Sequence, residues 1–245
     1  MIRQLDKYYR TILTPLGFRK QKHVFLRVTN DVFQSVEIER LRRSLKYETI
    51  RIIFSVLPLC LGIDAKRAWS GISLYELRRF EPTYNLEYDG WTYCKQPETE
   101  NAVRCEIQRF TEEYLLPFLE SADSCINALP ELIKLEHTMN QNRLADLAAL
   151  GSEDHGGPNA ELNLLDSSKY YMALKIKDYA FALRCANAML QGAKRVVSQA
   201  IENGRISGRE VDVERLEKEI VWIIERKLDG FHLAENEART REQLV

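Results

Sequence analysis

The sequence predicts an α+β fold: an N-terminal helix, an antiparallel sheet of four to six strands covered by helices, and a C-terminal all-helical extension. Two observations lead to this prediction. Apolar residues recur at helical spacing before residue 15 and again from residue 99 onward, whereas several segments within residues 24–94 alternate with the two-residue period of strands. Because strands and helices occupy separate stretches, their order does not demand a parallel sheet.

An amphipathic helix is predicted for residues 2–14. Its apolar residues share one face, and they are Ile2, Leu5, Tyr9, Ile12, Leu13 and Leu16. Pro15 disfavours helical geometry at Thr14, so we expect the helix to end there. Gly17 can adopt the left-handed conformation that commonly closes a helix.

Strands follow this turn. Residues 24–28 alternate and could be covered on both faces, and the Asn30-Asp31 pair supplies turn chemistry after them. The next strand is expected to carry an apolar face formed by Val32, Val36 and Ile38. The strongest strand signal is residues 50–56, in which every even-numbered residue is apolar. The basic residues 40–46 are expected to lie in the hairpin between the second and third strands.

Residues 64–94 are predicted to contain a short helical turn, further strands and a tight turn. Residues 64–69 are expected to form a short helical turn, and residues 72–80 fit a strand or a helix, with strand favoured. Residues 84–88 alternate cleanly, and Asp89-Gly90 predicts a turn into a strand at residues 91–94.

Helices are predicted for the rest of the first domain. Thr99 is expected to cap a helix that is broken at Pro117, and Pro130 fits the first turn of another helix that ends near Gly151. Residues 151–166 are rich in turn formers and lack periodicity, so they are interpreted as a linker or long loop. The α+β domain is therefore predicted for residues 1–150.

Residues 167–245 are predicted to form a helical hairpin with a third helix. Ser167 can cap a short helix, a turn at Lys177-Asp178 leads to a long helix from residue 179 to 203, and the third helix spans about residues 210–229. Short connections imply antiparallel neighbours.

Composition indicates an ordinary globular protein, since 45% of the residues are hydrophobic and 29% are charged. The five cysteines include no Cys-x-x-Cys pair, a pattern that suits reduced thiols in a cytosol. The N-terminus lacks an apolar signal-peptide core, and no apolar run approaches the roughly 20 residues that span a bilayer. We expect a cytoplasmic protein that does not enter a membrane.

Charge is unevenly distributed along the chain. The first 51 residues contain 12 basic and 5 acidic residues, against totals of 35 and 36 for the chain. The basic residues of interest are Arg19, Lys20, Lys22, Arg40, Arg42, Arg43, Lys46 and Arg51. They could form an anion-binding surface that tracks a phosphate backbone. The favoured alternative is that they protect edge strands and attract acidic helices, because the sequence pI is near neutral.

A resemblance to a known family rests on residues 16–20, Leu-Gly-Phe-Arg-Lys, followed by Phe25 and Arg27. Further shared features are the strand within residues 50–62, the Asp89-Gly90-Trp91 turn and the helix end Tyr114-Leu-Leu-Pro-Phe118-Leu119. Over about residues 1–135 the chain resembles the uncharacterised family called domain of unknown function 4304. Thr92 departs from the second aromatic residue expected after Trp91. The resemblance implies an α+β domain and supplies no catalytic residue.

Motifs for several chemistries are missing from the sequence. It contains neither a phosphate-binding glycine loop nor a Gly-x-Ser-x-Gly elbow, and its four histidines lack metal-ligand spacing. We therefore predict no metal and no cofactor. Glu153-Asp154-His155 could bind a hard cation, although a solvated linker is the favoured interpretation. Cys94 and Cys105 lack an identifiable companion base and are interpreted as inert.

Aromatic residues and one histidine give two further candidate sites. Trp91, with Trp69 and Tyr93, could stack on a ligand, although core packing is favoured. A hairpin turning near residues 30–31 would place His23 opposite residue 38, within reach of Glu37 or Glu39. This pair could serve a hidden catalytic site, but a surface cross-strand pair is the favoured interpretation.

Three functions remain open from the sequence. The leading hypothesis is a non-catalytic protein-binding module, an inhibitor or adaptor of another bacterial protein. The alternative is a nucleic-acid-binding protein that uses the basic hairpin, and the second alternative is a hidden hydrolase or transferase. No catalytic residue is assigned. The candidate binding residues are Arg19, Lys20, Lys22, Arg40, Arg42, Arg43, Lys46 and Trp91.

Overall fold

The computed structural model describes residues 1–43, 46–61, 72–74, 90–149, 166–202, 213–215, 217–218, 220–221 and 231–244. The predicted turn at residues 64–69, the strand at 84–88 and residues 151–165 of the predicted linker lie outside this described part, whereas residue 166 begins a helix. The chain divides into two compact units, residues 1–57 with 71–155 and residues 58–70 with 156–245.

The first unit contains one sheet and four helices among its described residues. The strands are β1 (Arg19–Gln21), β2 (Val24–Val28), β3 (Val32–Arg43), β4 (Tyr47–Pro58), β5 (Ile72–Ser73) and β6 (Trp91–Cys94). The helices are α1 (Ile2–Leu13), α2 (Pro97–Phe110), α3 (Leu116–Ser121) and α4 (Cys125–Ala149), with a π-helical turn, Thr111–Leu115, between α2 and α3. This is the predicted α+β architecture.

Helix α1 ends where the sequence predicts. It buries Leu5, Tyr9 and Leu13 on one side. Gly17 has a φ angle of 87°, and the amides of Gly17 and Phe18 bond back to carbonyl oxygens of the last helical turn, at 3.0 and 3.1 Å. The left-handed glycine thus closes the helix and directs the chain into β1.

The sheet is antiparallel, as predicted, and has six strands within the described residues. Its order is β1-β2-β3-β4, with β5 and β6 both paired to the remaining edge of β4. Strand β6 pairs with residues 47–50 and β5 with residues 53–54, so the two lie one after the other along that edge. Strand β1 was not predicted. It forms because Lys22, with a φ angle of 56°, allows a tight turn into β2.

The basic segment of residues 40–46 lies mostly in strand and less in a loop than the sequence suggested. Strand β3 extends to Arg43, and β4 begins at Tyr47. Charged residues are accommodated here because they pair across the strands: Arg51 with Glu39, and Arg40 with Glu48.

Residues on β3 and β4 alternate between two faces, which we call the even-numbered and odd-numbered faces. The even-numbered face carries the buried Val36, Ile52 and Phe54. Aromatic contacts join this face to the helices that cover it. The ring centroids of Phe25 and Tyr9 of α1 are 6.4 Å apart. The corresponding distances are 6.3 Å between Trp91 and Phe110 of α2, and 5.3 Å between Phe54 and Phe118 of α3. The predicted cover of helices is therefore present on one side of the sheet.

Two prolines have different roles from those predicted. The helix does not break at Pro117: it passes through the π-helical turn and continues as α3, which accommodates a residue that has no N–H to donate. Pro130 lies inside α4, because that helix begins at Cys125. The earlier start is stabilised by Asp31, whose carboxylate accepts a hydrogen bond from the Cys125 amide at 2.7 Å.

Thr99 does not cap helix α2, so this prediction was also wrong. Helix α2 begins at Pro97, after Gln96, and Thr99 lies in its first turn. The Thr99 hydroxyl donates to the Gln96 carbonyl at 3.0 Å. Proline suits the first helical position because its missing N–H would have no partner within the helix.

The second unit contains α5 (Asp166–Lys175), α6 (Tyr179–Glu202), further helical residues within 213–221, and α7 (Phe231–Leu244). Helices α5 and α6 form the predicted hairpin, with Lys177 at a φ angle of 64° in the turn and the Asp178 carboxylate accepting the Phe181 amide at 3.0 Å. A 3₁₀ turn, Leu59–Leu61, packs against α5 and α7. Helix α7 was not predicted.

Candidate binding surface

Lys22 and Arg40, two of the predicted basic residues, lie toward the same end of the sheet. The β1–β2 turn holds Lys22 and His23, and the Ile38 amide of β3 bonds to the His23 carbonyl at 3.5 Å. Arg40 follows two residues later on β3, which continues toward the β3–β4 hairpin. Both hairpins therefore point the same way.

Several of these cations bind carboxylates of the same chain. Lys20 pairs with Asp6 of α1, and its ammonium lies 5.6 Å from the centroid of the Phe25 ring. Arg40 pairs with Glu48. Arg19, Lys22 and Lys46 are exposed to solvent, whereas the side chains of Arg42 and Arg43 lie outside the described part of the structure.

The partner of Arg40 belongs to a buried polar cluster. The Tyr93 hydroxyl donates to Glu48 Oε2, while Arg40 contacts Glu48 Oε1. Burial, together with the hydrogen bond to the Glu48 carboxylate, raises the pKa of Tyr93. The Glu48 carboxylate thus contacts both the Arg40 guanidinium and the Tyr93 hydroxyl, so we interpret Arg40 as a structural partner of Glu48.

Trp91 does not join this group on the surface. It is buried, and its ring packs against Phe110. Tyr93 is buried beside Glu48, and Trp69 lies outside the described residues. The core role that the sequence favoured for Trp91 and Tyr93 agrees with these positions.

The odd-numbered face carries further cross-strand pairs near the same end of the sheet. His23 Nε2 lies 2.9 Å from Glu37 Oε1, which confirms the predicted contact and selects Glu37 over Glu39. Glu39 instead accepts two hydrogen bonds from Arg51, at 2.7 and 3.1 Å. The His23 side chain is 63% exposed, so this pair sits at the surface.

An exposed tyrosine lies on the same face. Tyr47 is 52% exposed and pairs in register with Cys94, next to the pair Thr49 and Thr92, whose hydroxyls are 2.9 Å apart. We call the group formed by His23, Glu37, Glu39, Tyr47, Arg51 and Thr92 the hairpin-end surface. It combines an aromatic ring, hydroxyls and paired charges.

Sequence reasoning missed Tyr47, although a signal for it was present. Within residues 50–56 the even-numbered positions are apolar and share one face. Tyr47 is odd-numbered, so its aromatic ring belongs to the opposite face. The sequence also gave no indication that Arg51 would be matched with Glu39.

The described residues contain no group of three or more His, Cys, Asp or Glu side chains placed to hold a metal ion. Glu153, Asp154 and His155 lie outside that part of the chain. The five cysteines, all of which are described, are present as thiols.

Comparison of the chain with protein-family models, with curated proteins and with solved structures gave no match. The resemblance to domain of unknown function 4304 therefore stays a prediction. Within the described residues, no helix combines the length and apolarity needed to cross a membrane.

Proposed function

We propose that this protein is a non-catalytic protein-binding module, an inhibitor or adaptor of another protein, and that the hairpin-end surface binds the partner. The observation that carries the proposal is the exposed Tyr47 ring on the same face of the sheet as the Glu39–Arg51 pair. Tyrosine and arginine are enriched in protein interfaces because each offers a large contact area together with hydrogen-bonding groups.

The paired charges favour a protein over a nucleic acid. Phosphate binding depends on cations that exchange their counterions for the phosphate backbone. Lys20, Arg40 and Arg51 instead contact Asp6, Glu48 and Glu39. A nucleic acid would have to displace these carboxylates, whereas a protein partner can complement a surface that carries both signs of charge.

The exposure of His23 supports a non-catalytic role over a hydrolase or transferase. General-base catalysis benefits from a site that excludes water and holds the base in one orientation. The His23 side chain is 63% exposed, and a cross-strand pair with Glu37 accounts for its position. The proposal places the protein in the cytoplasm, which suits a sequence of five cysteines without a Cys-x-x-Cys pair.

The test is affinity capture from a lysate of the source cells with the full chain and two variants. We expect Tyr47→Lys to lose a partner that the wild type retains. Tyr114→Lys is the matched control, because Tyr114 is another partly exposed tyrosine, located in the π-helical turn. Circular dichroism of each variant establishes that it is folded. Capture of the same proteins by all three would contradict the proposal.

A second measurement addresses the nucleic-acid alternative. Fluorescence anisotropy with labelled DNA and RNA, at about 50 mM and about 200 mM salt, detects binding that depends on phosphate contacts. We expect no salt-sensitive binding. Binding that weakens steeply with salt, and that is lost when Arg42 and Arg43 are both changed to Glu, would replace the proposal with the nucleic-acid one.

A further inference from the structure

Helix α4 leaves apolar side chains exposed beside the face that it buries. Its first turns bury Cys125, Ala128, Leu129 and Leu132. Ile126 is nevertheless 65% exposed and Ile133 39% exposed, and Pro130 between them is also exposed. Two exposed isoleucines seven residues apart lie on the same side of a helix, because seven residues make nearly two turns.

These residues follow the spacing of a helix–helix seam. Ile126, Pro130, Ile133 and His137 are separated by four, three and four residues, which is the repeat of the contact positions in coiled coils. All four are exposed. We call them the α4 stripe. Its spacing fits a second helix better than an irregular loop, since the exposed positions recur on one line along the helix.

We propose that the α4 stripe binds the same stripe of a second copy of this chain, with the two helices antiparallel. Reversing the helix about the midpoint between Leu129 and Pro130 places Ile126 of one copy opposite Ile133 of the other, and the reverse contact follows by symmetry. The inference is independent of the hairpin-end surface.

Charge complementarity supports the second copy as the occupant. Asn127 donates to Asp123 Oδ1 at 2.8 Å, which fixes this carboxylate at the N-terminal end of the α4 stripe. Lys134 is exposed and lies seven residues after Asn127, hence on the same flank of the α4 stripe. When two copies of α4 pack antiparallel, the same flank of each helix faces its counterpart in the other copy. Lys134 of each copy therefore approaches Asp123 of the other.

Each charged group retains exposed surface for a further contact. Lys134 is exposed and pairs with Glu131 at 2.5 Å, and such surface pairs contribute little to stability. Asp123 is partly exposed, and hydrogen bonds from Asn127, Ser124 and Asn30, together with the charge of Arg27, favour its charged carboxylate. A parallel pair would bring identical residues to the same level and would not form these contacts.

The size of the α4 stripe implies a weak dimer. Stable interfaces bury about 1,200–2,000 Å² in total, which is more than two isoleucines and a proline from each copy supply. We therefore expect a dissociation constant of about 10–100 µM.

The test is sedimentation velocity of the full chain over a range from about 1 µM to about 500 µM. We expect the sedimentation coefficient to rise with concentration, and the double variant Ile126→Lys with Ile133→Lys to raise the dissociation constant at least about tenfold. Val221→Lys is the matched control, because Val221 is a 50% exposed helical residue of the second unit, and it should leave association unchanged.

A charge exchange tests the antiparallel arrangement. Lys134→Glu and Asp123→Lys should each weaken self-association, because each creates two like-charge contacts in its own dimer. An equal mixture of the two variants should associate as the wild type does, since the carboxylate introduced in one variant would then meet the ammonium introduced in the other. Circular dichroism establishes that both variants are folded. A wild type that stays monomeric throughout, association unaffected by the isoleucine changes, or a mixture no tighter than its components would overturn the proposal.

Discussion

Arg27 of β2 donates two hydrogen bonds to the same side-chain oxygen of Gln34 on β3, at 2.9 and 2.6 Å. The guanidinium also donates to the carbonyls of Leu16 and Leu119, each at 2.7 Å. Burial lowers the pKa of Arg27, while the nearby charges of Asp123 and Glu120 act in the opposite direction. One side chain thus joins the turn after α1, two strands and the end of α3.

Replacing this arginine should destabilise the first unit strongly. Arg27→Met removes the donors of two carbonyl groups and of Gln34, so we expect a loss of about 2–4 kcal/mol in the free energy of unfolding. The measurement is urea unfolding followed by circular dichroism. Arg19→Met is the control, because Arg19 is an exposed residue of β1 and should change stability by less than about 0.5 kcal/mol. Equal effects would show that the hydrogen bonds of Arg27 contribute little.

The π-helical turn depends on a buried pair of hydroxyl groups. Thr111 Oγ1 donates to the Ile107 carbonyl at 2.7 Å, so its contact with Tyr9 at 2.7 Å must be one in which the Tyr9 hydroxyl donates. Thr111→Val therefore leaves a buried donor without its acceptor, whereas Tyr9→Phe removes the donor itself.

We expect Thr111→Val to cost about 1–3 kcal/mol and Tyr9→Phe to cost less. The double variant should be no less stable than Thr111→Val alone. Thermal or urea unfolding of the four proteins forms a double-mutant cycle that measures the coupling. Additive losses would mean that the two hydroxyls do not interact.

Alkaline pH should weaken the fold through Tyr93. Burial and the Glu48 carboxylate raise the pKa of Tyr93 above its usual value of 10.0. The folded state then holds a proton that the unfolded state releases above pH 10, so this contribution to stability is complete below pH 10 and is lost as pH rises beyond it.

Unfolding midpoints in urea, measured between pH 8 and pH 11 (~1-unit steps), should fall less steeply for Tyr93→Phe than for the wild type. Thr92→Ser, an exposed change on the same strand that keeps the hydroxyl, serves as the control. Identical pH dependence in all three proteins would exclude Tyr93 as a contributor.

Two glycines should respond differently to alanine. A Cβ at Gly17 would meet only the Arg27 side chain at 3.7 Å, so the cost comes from the φ angle of 87° and should be about 1 kcal/mol. A Cβ at Gly90 would lie 2.7 Å from the backbone oxygen of Ile50, which forces the β4–β6 pairing to shift. We expect Gly90→Ala to lower the melting temperature more than Gly17→Ala. The reverse order would contradict this assignment.

Much of the fold could be predicted because its signals are local. Gly17 closes α1, and the alternation in residues 50–56 places Ile52 and Phe54 on the buried face. The turn near residues 30–31 fixes the register of β2 and β3, which is why the contact of His23 with Glu37 could be anticipated from their numbers alone. Period and turn chemistry act over a few residues, so the sequence reports them directly.

Tertiary structure alone decided the rest. Asp31 starts α4 at Cys125, five residues before the proline that the sequence suggested as its beginning, and these two partners are 94 residues apart in the chain. In the same way Glu48 pairs with Arg40 and Glu39 with Arg51, two of the basic residues that the sequence singled out. A capping residue or a counter-ion needs only to lie close in space to its partner. The periodicity of the sequence does not indicate which distant residue will lie there. The sequence therefore showed that basic residues are concentrated near the N-terminus. Only the folded structure determined that Arg40 and Arg51 contact carboxylates and that Tyr47 and Ile126 are exposed.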